Sequence, residues 1–494
     1  MTFRHLAAAS AAAVFAFVCI ETGRAQQPPA AAAQTATPAP AMLDVQGGQL
    51  RVTTVATGLV HPWSIAFLPD GRTMLVTEQP GRLRVIRDGV LDPTPVYTAP
   101  APPPQGPGAQ AGPAAQGARG GQAASQTAPP AAPAAQAGRG AQAPAANPPA
   151  NQAAQGGRAG RGGGGQGGQG GGDRLHFVTL HPKFAQNQLV YFSYPKQGEK
   201  GVTLAVASGR FDGSKLVDVR DVFVADAWET GGNLAGRVVF GPDGNLYVTV
   251  GDRDRICCNG TDDNSLRMKA QALDNHAGKT LRIRDDGSVP PDNPFVGRAG
   301  AKPEIYTYGH RNGYGLAFHP ETGELWQAEI GPMGGDEVNI LLPGHNYGWP
   351  LVSMGRNYTG TLVSDRPWWR EGMDNPRMFW VPSISPSSLI FYTGDKFPQW
   401  KNNMMVGALN GLSLQRIAFG QPSQAERREP LLRQLNIRIR DVQQSPDGYL
   451  YVATELGSGG NTPDGTVLKL ELVPGAPGGR GGAGGGGRGR GQNQ

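Results

Sequence analysis

Residues 58–78 read GLVHPWSIAFLPDGRTMLVTE, and this stretch decides the fold because it has the pattern of a β-hairpin. Two alternating apolar runs flank the turn sequence Pro69-Asp70-Gly71. Period-two alternation on both sides of a Pro, Asp and Gly turn is typical of paired antiparallel strands. The stretch therefore predicts two neighbouring strands joined by a short turn.

The hairpin pattern recurs along the rest of the chain. The six copies are FLPDGRTMLVTE from Phe67, LHPKFAQNQLVYFSY from Leu180, FGPDGNLYVTVGD from Phe240, FHPETGELWQAEIG from Phe318, KFPQWKNNMMVGAL from Lys396 and QSPDGYLYVATE from Gln444. Apart from one low-complexity insert they recur every roughly 45 to 80 residues, and repeats of about four strands are typical of propeller blades. We therefore predict an all-β fold, a six-bladed β-propeller of four-stranded antiparallel blades. Gly58-Leu59 and the segment TVLKLEL after Asp464 are expected to close the ring.

Composition predicts the domain boundaries. Residues 98–174 contain no aromatic residue and no Leu, Ile, Val or Met, and the glycine-rich C-terminal tail is similar. Such segments bury too little apolar surface to offset the entropy of ordering. We predict a low-complexity linker at 26–47, a propeller at 48–472 with a disordered insert at 98–174, and a disordered Gly/Arg-rich tail at 473–494.

The net charge of +6 comes from the insert and the tail. Their charged residues are Arg119, Arg139, Arg158, Arg161, Arg174, Arg480, Arg488 and Arg490, against Asp173. Without these segments the propeller is near neutral, so the basic composition does not indicate a nucleic-acid partner.

The first 25 residues have the pattern of a signal peptide. Arg4 and His5 precede an apolar run over 6–20, and Gly23 and Ala25 provide the small residues of a cleavage site. The run is shorter than the roughly 20 residues of a membrane span, so a membrane anchor and a lipoprotein at Cys19 are the less favoured alternatives. We expect a periplasmic or secreted protein without a stable membrane span.

Cleavage after Ala25 leaves two cysteines, Cys257 and Cys258, adjacent in sequence. Two neighbouring thiols cannot complete a zinc site by themselves. They are expected to be free thiols or a local disulfide.

Three polar segments follow predicted strands, where propeller loops meet at the mouth of the central channel. They are YGHRNGYG (308–315), AEIGPMGGDEVN (328–339) and NIRIRDV (436–442). Arg438 and Arg440 are two residues apart, so on a strand they point the same way, and paired guanidinium groups suit a polycarboxylate or phosphate. Each segment taken alone is also compatible with a surface turn or a solvated strand face.

Longer phrases resemble the soluble, quinone-dependent aldose sugar dehydrogenases, the glucose/sorbosone dehydrogenase family. The similarity covers about residues 59–470 apart from the insert, in the phrases HPWSIAFLPDG, AQALDNHAGKTLRIRDDGSVPPDNPF, PEIYTYGHRN, GPMGGDEVNILLPGHNYGWP, PSISPSS and RIRDVQQSPDGYLY. The resemblance implies a six-bladed propeller that binds pyrroloquinoline quinone (PQQ) and calcium.

The resemblance also implies roles for individual residues. PQQ is an o-quinone with three carboxylates, and its contacts match Arg438, Arg440, Asn312, Ser383 and the position of Asn410. Arg311 matches the arginine near the reactive carbonyl, and the carbonyls of Gly331 and Pro332 match ligands of the calcium at the quinone. Glu337 and Tyr347 match a second, structural calcium site.

Four positions depart from the family pattern. The family's histidine base, expected before a GGRL-like stretch, is Asn233, which cannot accept a proton, while its carboxylate partner is present as Asp252. The family's lysine at the quinone is replaced by Asn410. A glutamine near the substrate is lost within Gly171–Phe177, and Tyr314 stands where glutamine is common.

Two functions follow from these matches and departures. The first is an exported PQQ- and calcium-dependent oxidoreductase that transfers hydride from an aldose or related alcohol to the quinone and passes electrons to an external acceptor. In this reading Asp252 is the base if burial raises its pKa. The alternative is a catalytically altered propeller that binds a ligand or partner without turnover, and a hydrolase or lactonase activity is a third reading. The absence of a Cys-x-x-Cys-His motif excludes a fused c-type haem.

Overall fold

A computed structural model describes residues 40–100, 175–254, 264–420, 426–457 and 461–474. The predicted signal peptide, most of the linker, nearly all of the insert, Cys257 and Cys258, and the tail beyond residue 474 lie outside these residues. Within the described residues, no helix is long and apolar enough to cross a bilayer.

The described strands form six antiparallel sheets arranged as blades. The first strands within the described residues are β1 (Ala41–Val45) and β2 (Gly48–Leu59). Blade one contains β3 (Pro62–Phe67), β4 (Thr73–Glu78), β5 (Arg82–Arg87), β6 (Val90–Leu91) and β7 (Tyr97–Thr98). Blade two contains β8 (Val178–Leu180), β9 (Leu189–Gly198), β10 (Gly201–Phe211) and β11 (Leu216–Val224). Blade three contains β12 (Ala235–Phe240), β13 (Leu246–Val250), β14 (Lys279–Ile283) and β15 (Ile305–Tyr308).

The remaining blades have the same order along the chain. Blade four contains β16 (Gly313–Phe318), β17 (Leu325–Glu329), β18 (Asp336–Leu341) and β19 (Met378–Trp380). Blade five contains β20 (Pro386–Phe391), β21 (Met404–Ala408), β22 (Ser413–Ala418) and β23 (Arg427–Leu431). Blade six contains β24 (Arg438–Gln444), β25 (Leu450–Glu455) and β26 (Gly465–Pro474). The helices are short: α1 (Phe184–Asn187), α2 (Asn264–Met268) and two 3₁₀ turns, Pro398–Trp400 and Arg433–Leu435.

The first strands of the six blades surround the central axis. Contacts run from β3 to β8, β12, β16, β20 and β24 and back to β3. The predicted six-bladed all-β propeller is therefore confirmed. The opening hairpin is β3–β4, and its turn is held by Asp70, whose Oδ1 accepts from the backbone N–H groups of Arg72 (2.9 Å) and Thr73 (2.8 Å).

Strand β2 closes the ring as the fourth strand of blade six. It pairs with β26 from Gly48 opposite Pro474 to Leu59 opposite Gly465, so the two ends of the propeller sequence share one sheet. This confirms the expected closure by the segments around Leu59 and after Asp464. Such closure ties the first blade to the last and leaves no open end in the ring.

The ordered sheet starts earlier than the predicted linker boundary allows. Residues 41–45 form β1 and pair with β2, within the stretch 26–47 that we predicted as linker. Ala41, Leu43 and Val45 are half-buried and pack against the core of blades five and six, while Met42 and Asp44 face outward. We missed this strand because its alternation covers only five residues and lies next to an Ala/Pro-rich segment. At the other end β26 extends beyond residue 472 to Pro474.

The channel is crossed below its mouth by a buried ion pair. The Arg237 Nη1 of β12 donates to Asp441 Oδ1 of β24 at 3.0 Å, and the two side chains are 4% and 0% exposed. Blades three and six are opposite each other in a ring of six. Asp441 Oδ2 also accepts from the hydroxyl of Ser64 (3.1 Å) and the N–H of Ile65 (2.9 Å) on blade one.

We expect Asp441→Asn to destabilise the propeller by about 3 kcal/mol, because it leaves the Arg237 guanidinium buried without a counter-charge. Denaturant unfolding measures the loss. The matched control is Asp88→Asn, whose partner Arg72 lies 3.2 Å away with both side chains largely exposed, and which should leave the unfolding midpoint unchanged. Equal effects of the two substitutions would show that the channel ion pair is not structurally important.

Candidate functional site

The topology brings the predicted site residues to one end of the propeller. In each antiparallel blade the start of the first strand and the end of the second strand lie at the same edge. Residues at or just before first strands include His61, His176, Asn233, Arg311, Ser383 and Arg438. Residues at or just after second strands include Asp252, Gly331, Asn410 and Glu455. The mouth of the channel is therefore built from positions far apart in sequence.

Arg438 and Arg440 meet on one carboxylate. The Arg438 Nε donates to Glu455 Oε1 at 2.9 Å, and the Arg440 Nη2 donates to the same oxygen at 2.7 Å. The other oxygen, Oε2, lies 2.7 Å from Nδ1 of His61. Burial alone would raise the pKa of Glu455, but Arg440, His61 and Arg438 lower it well below its ordinary value. The hydrogen bond to Glu455 raises the pKa of His61.

Aromatic rings continue the site from blade six to blade two. The Arg440 guanidinium lies 4.5 Å from the ring centroid of Trp63, and Trp63 stacks on His176 with centroids 4.7 Å apart and an interplanar angle of 6°. Nδ1 of His176 is 3.2 Å from the Ala235 carbonyl. The N–H of Ala235 in turn donates to Asn312 Oδ1 at 3.1 Å, which brings the predicted cofactor contact Asn312 into the same set of contacts.

Asn233 and Asp252 lie together at the end of blade three. The Asn233 Nδ2 donates to Asp252 Oδ1 at 2.9 Å, and Asn233 Oδ1 is 3.4 Å from Nδ2 of Asn312. The indole Nε1 of Trp349 donates to Asp252 Oδ2 at 2.7 Å. Burial raises the pKa of Asp252 to about 6, although the nearby charge of Arg311 opposes the rise.

Arg311 links Asp252 to the Gly331-Pro332 segment. Its Nη1 donates to the carbonyls of Ile330 and Gly331, each at 2.9 Å, while the backbone N–H of Asp252 donates to the Arg311 carbonyl at 2.8 Å. The guanidinium lies 5.4 Å from the ring centroid of Trp349, as does that of Arg267. Asp252, Arg311 and Gly331 therefore converge at one place.

Asp336 connects the Gly331 loop to Ser383. Its Oδ1 accepts from the N–H of Gly331 at 2.9 Å, and its Oδ2 accepts from the Ser383 hydroxyl at 2.9 Å and from the N–H of Ile384 at 2.7 Å. Burial raises the pKa of Asp336 to about 6, against these hydrogen bonds. One carboxylate thus fixes both the loop of the predicted calcium carbonyls and a predicted cofactor contact.

Glu337 and Tyr347 are connected through Glu329 and His310, whose Nδ1 lies 3.1 Å from Oε1 of Glu329. Glu337 is opposite Glu329 across β17 and β18, and Nδ2 of Asn339 is within 2.9 Å of Glu329 and 3.4 Å of Glu337. Burial first, and then the charge of Glu329, raises the pKa of Glu337 well above its ordinary value. The Tyr347 ring stacks on His310 at 4.9 Å. In the described ranges, no three His, Cys, Asp or Glu side chains are arranged as a metal-binding group.

Asn410 completes the circuit of contacts. Its Oδ1 accepts from Nη1 of Arg438 at 3.4 Å, and its N–H donates to the Ile384 carbonyl at 3.0 Å. Ser383 and Asn410 also line a half-open cavity of about 420 Å³. Contacts therefore connect neighbouring blades all the way around the mouth. In order from blade six they pass through Arg438, Trp63, His176, Asn233, Arg311 and Ser383.

Sequence reasoning missed several residues of this circuit. They are His61, Trp63, His176, Trp349 and Glu455. The phrases HPW and NYGWP, quoted for the resemblance, contain three of them, but nothing in the sequence connects Glu455 to His61. Tyr314 is 2% exposed and packs edge-on against Trp63 (6.1 Å) and against Phe177 (5.8 Å), so it belongs to the core.

Comparison with known proteins gives consistent matches. The family described as glucose/sorbosone dehydrogenase matches residues 59–112 and 163–464. The aldose sugar dehydrogenase of Escherichia coli is 39% identical over 287 residues, covering 57% of this chain and 74% of that protein. Quinoprotein glucose dehydrogenase B of Acinetobacter calcoaceticus is 28% identical over 366 residues, covering 60% and 76%.

Solved structures agree with the sequence matches. The crystal structure of the Escherichia coli aldose sugar dehydrogenase in its apo form superposes with a TM-score of 0.65 at 31% identity, covering 86% of this chain and all of that one. The family match spans more than half of the chain and includes strands of every blade. The chain therefore belongs to the glucose/sorbosone dehydrogenase family.

Proposed function

We propose that this protein is a PQQ- and calcium-dependent oxidoreductase that oxidises an aldose sugar or a related alcohol. The observation that carries the proposal is the convergence of Asp252, Arg311 and the Gly331 carbonyl at the channel mouth. Oxidation of an alcohol by hydride transfer uses a group that accepts the hydroxyl proton and a cation that stabilises the developing negative charge. Asp252 and Arg311 are groups of these two kinds, and a backbone carbonyl oxygen can hold calcium.

The residues at the mouth fit a flat, aromatic polycarboxylate. The Nε atoms of Arg311 and Arg440 are buried and have no hydrogen-bond partner among the described residues, so each has a donor left for a ligand. Arg438, Asn312, Ser383 and Asn410 add guanidinium, amide and hydroxyl groups of the kind that bind carboxylates. These residues would hold PQQ, which when bound supplies the hydride-accepting carbonyl.

The backbone carbonyls of Gly331 and Pro332 provide the oxygen ligands that a calcium ion takes. Asp336 holds their loop in place through the Gly331 N–H. Glu337 is a half-buried carboxylate opposite Glu329, and burial and the charge of Glu329 raise its pKa. A cation bound there would compensate its charge. We therefore assign the second calcium to Glu337 and the neighbouring Tyr347.

In the proposed reaction Asp252 accepts the proton of the sugar hydroxyl. Oδ1 already accepts from Asn233 and from the N–H of Asp254, and Oδ2 accepts from Trp349, which leaves one acceptor position on Oδ2. Asn233, which cannot accept a proton, orients the carboxylate. Arg311 would stabilise the negative charge that develops on the oxygen of the carbonyl whose carbon accepts the hydride.

The same proposal includes where the protein acts and which molecule receives its electrons. The signal-peptide pattern of residues 1–25 would direct export, so that the enzyme acts in the periplasm or outside the cell. Electrons would then pass to an external acceptor, because the sequence has no attachment motif for a haem of its own.

We expect dye-linked oxidation to fall as the pH drops through about 6, because protonated Asp252 cannot accept the hydroxyl proton. Asp252→Asn should reduce kcat by about a hundredfold or more with PQQ binding retained. A pH profile of kcat with saturating PQQ and calcium measures both effects. A flat profile between pH 5 and 7, or an active Asp252→Asn enzyme, would exclude Asp252 as the base.

Asn233→His should raise kcat by about tenfold or more, because an imidazole hydrogen-bonded to Asp252 is a better proton acceptor than a buried carboxylate. Asn233→Gln is the control, since it changes the size but adds no base. If the purified protein binds PQQ but neither it nor Asn233→His reduces a dye with any aldose or alcohol tested, the protein is the non-catalytic binding propeller instead.

Calcium should stabilise the protein, and Glu337→Gln should remove part of that effect. Addition of calcium to the chelated protein is expected to raise Tm by at least about 3 °C, because the ion binds only the folded state. Glu371→Gln, an exposed carboxylate on the neighbouring loop, is the control and should keep the full rise. An unchanged response of Glu337→Gln would place the ion elsewhere.

A further inference from the structure

The cavity beside Ser383 and Asn410 has a feature that the proposed function leaves unused. Its volume is about 420 Å³, and Ser383 and Asn410 form its edge toward the channel mouth. Its lining also includes Ser413, Gln415, Arg433 and Asn436. Among the residues that the structure describes, no carboxylate lines the cavity, and Arg433 is the single charged residue that does.

The backbone of Arg433 is fixed by its surroundings, whereas its side chain makes no polar contact with the described residues. It begins the 3₁₀ turn Arg433–Leu435, between Leu432 (φ +64°) and Asn436 (φ +53°). Leu432 is 1% exposed and Leu435 packs against the same core, so the turn is fixed. The Arg433 side chain is exposed and has no hydrogen bond or ion pair with any described residue. The guanidinium is therefore available to a ligand in the cavity.

The arginines at the mouth already have acidic partners, so they offer a polycarboxylate few uncompensated positive charges. Arg438 and Arg440 share Glu455, and Arg311 faces Asp252. Asn410, the residue between Arg438 and the cavity, is uncharged. A tricarboxylate that contacts Arg438 and Ser383 therefore meets guanidinium groups that already have acidic partners. Arg433, in the lining of the same cavity, has no acidic partner in the described part of the chain.

We propose that Arg433 binds a carboxylate of the cofactor in this cavity and supplies the positive charge that position 410 lacks. The inference rests on the proposed function, since it requires a polycarboxylate ligand at the channel mouth. Ser413 and Gln415, which are joined by a 2.8 Å hydrogen bond, and Asn436 also line the cavity and add uncharged hydrogen-bonding groups for the same carboxylate. Recognition at this edge thus comes from the 3₁₀ turn before β24 rather than from the end of β21.

The test is a titration of the purified protein with PQQ in calcium-containing buffer, followed by quenching of tryptophan fluorescence. Arg433→Gln should raise Kd about tenfold, because one charge-assisted hydrogen bond is lost. It should also make Kd less dependent on salt concentration. The matched control is Arg72→Gln, because Arg72 is an exposed arginine in the β3–β4 turn of blade one. This variant should keep the original Kd. The double variant Asn410→Lys with Arg433→Gln should regain most of the affinity, because it returns a cation to the same cavity.

Each outcome is decisive. If Arg433→Gln binds PQQ as tightly as Arg72→Gln, with both variants retaining the original Tm, Arg433 does not contact the cofactor, and the proposed function stands without it. If the unmodified protein shows no quenching by PQQ, the cofactor assignment is wrong and this inference is overturned together with it.

Discussion

The pairing of β2 with β26 is the constraint on which the rest of the structure depends. Because a strand from the beginning of the propeller completes the sheet formed by its end, the first and last blades are held side by side. His61 immediately precedes β3 and Glu455 ends β25, 394 residues later, yet their side chains are 2.7 Å apart. Each neighbouring pair of blades contributes a contact at the mouth. If the ring opened between blades one and six, Arg440 would also be separated from Trp63.

Carboxylates at the mouth are held in place by ion pairs and hydrogen bonds within the protein. Glu455 fixes two guanidinium groups, and Asp336 fixes two loops through four hydrogen-bond donors. Desolvating such groups is costly unless each is paired, and the observed pairs offset much of that cost. A rigid arrangement of this kind needs little rearrangement to stabilise charge, which is the property that catalysis by preorganised electrostatics requires.

The fold could be predicted from sequence because its signal is local. A turn such as Pro69-Asp70-Gly71 and the alternation around it lie within one hairpin, and six hairpins identify the ring. The strand at 41–45 was missed because five alternating residues beside an Ala/Pro-rich flank give too weak a pattern. Of the site, the residue types at Arg438, Arg440, Arg311 and Asp252 were recognised from family phrases. Their partners Glu455 and Trp349, and His176, which stacks on Trp63, were not recognised, because each makes a contact between blades that no local pattern encodes.

The ion pair between Arg237 and Asp441 limits how far the ring can widen. Asp441 follows Arg440 directly along β24, and its bond to Arg237 joins opposite sides of the ring one residue deeper than the arginine pair. Any motion that moved blades three and six apart would have to separate two buried charges, and separating buried charges is costly. The spacing of the groups at the mouth is therefore held from beneath by a contact that itself lies outside the site.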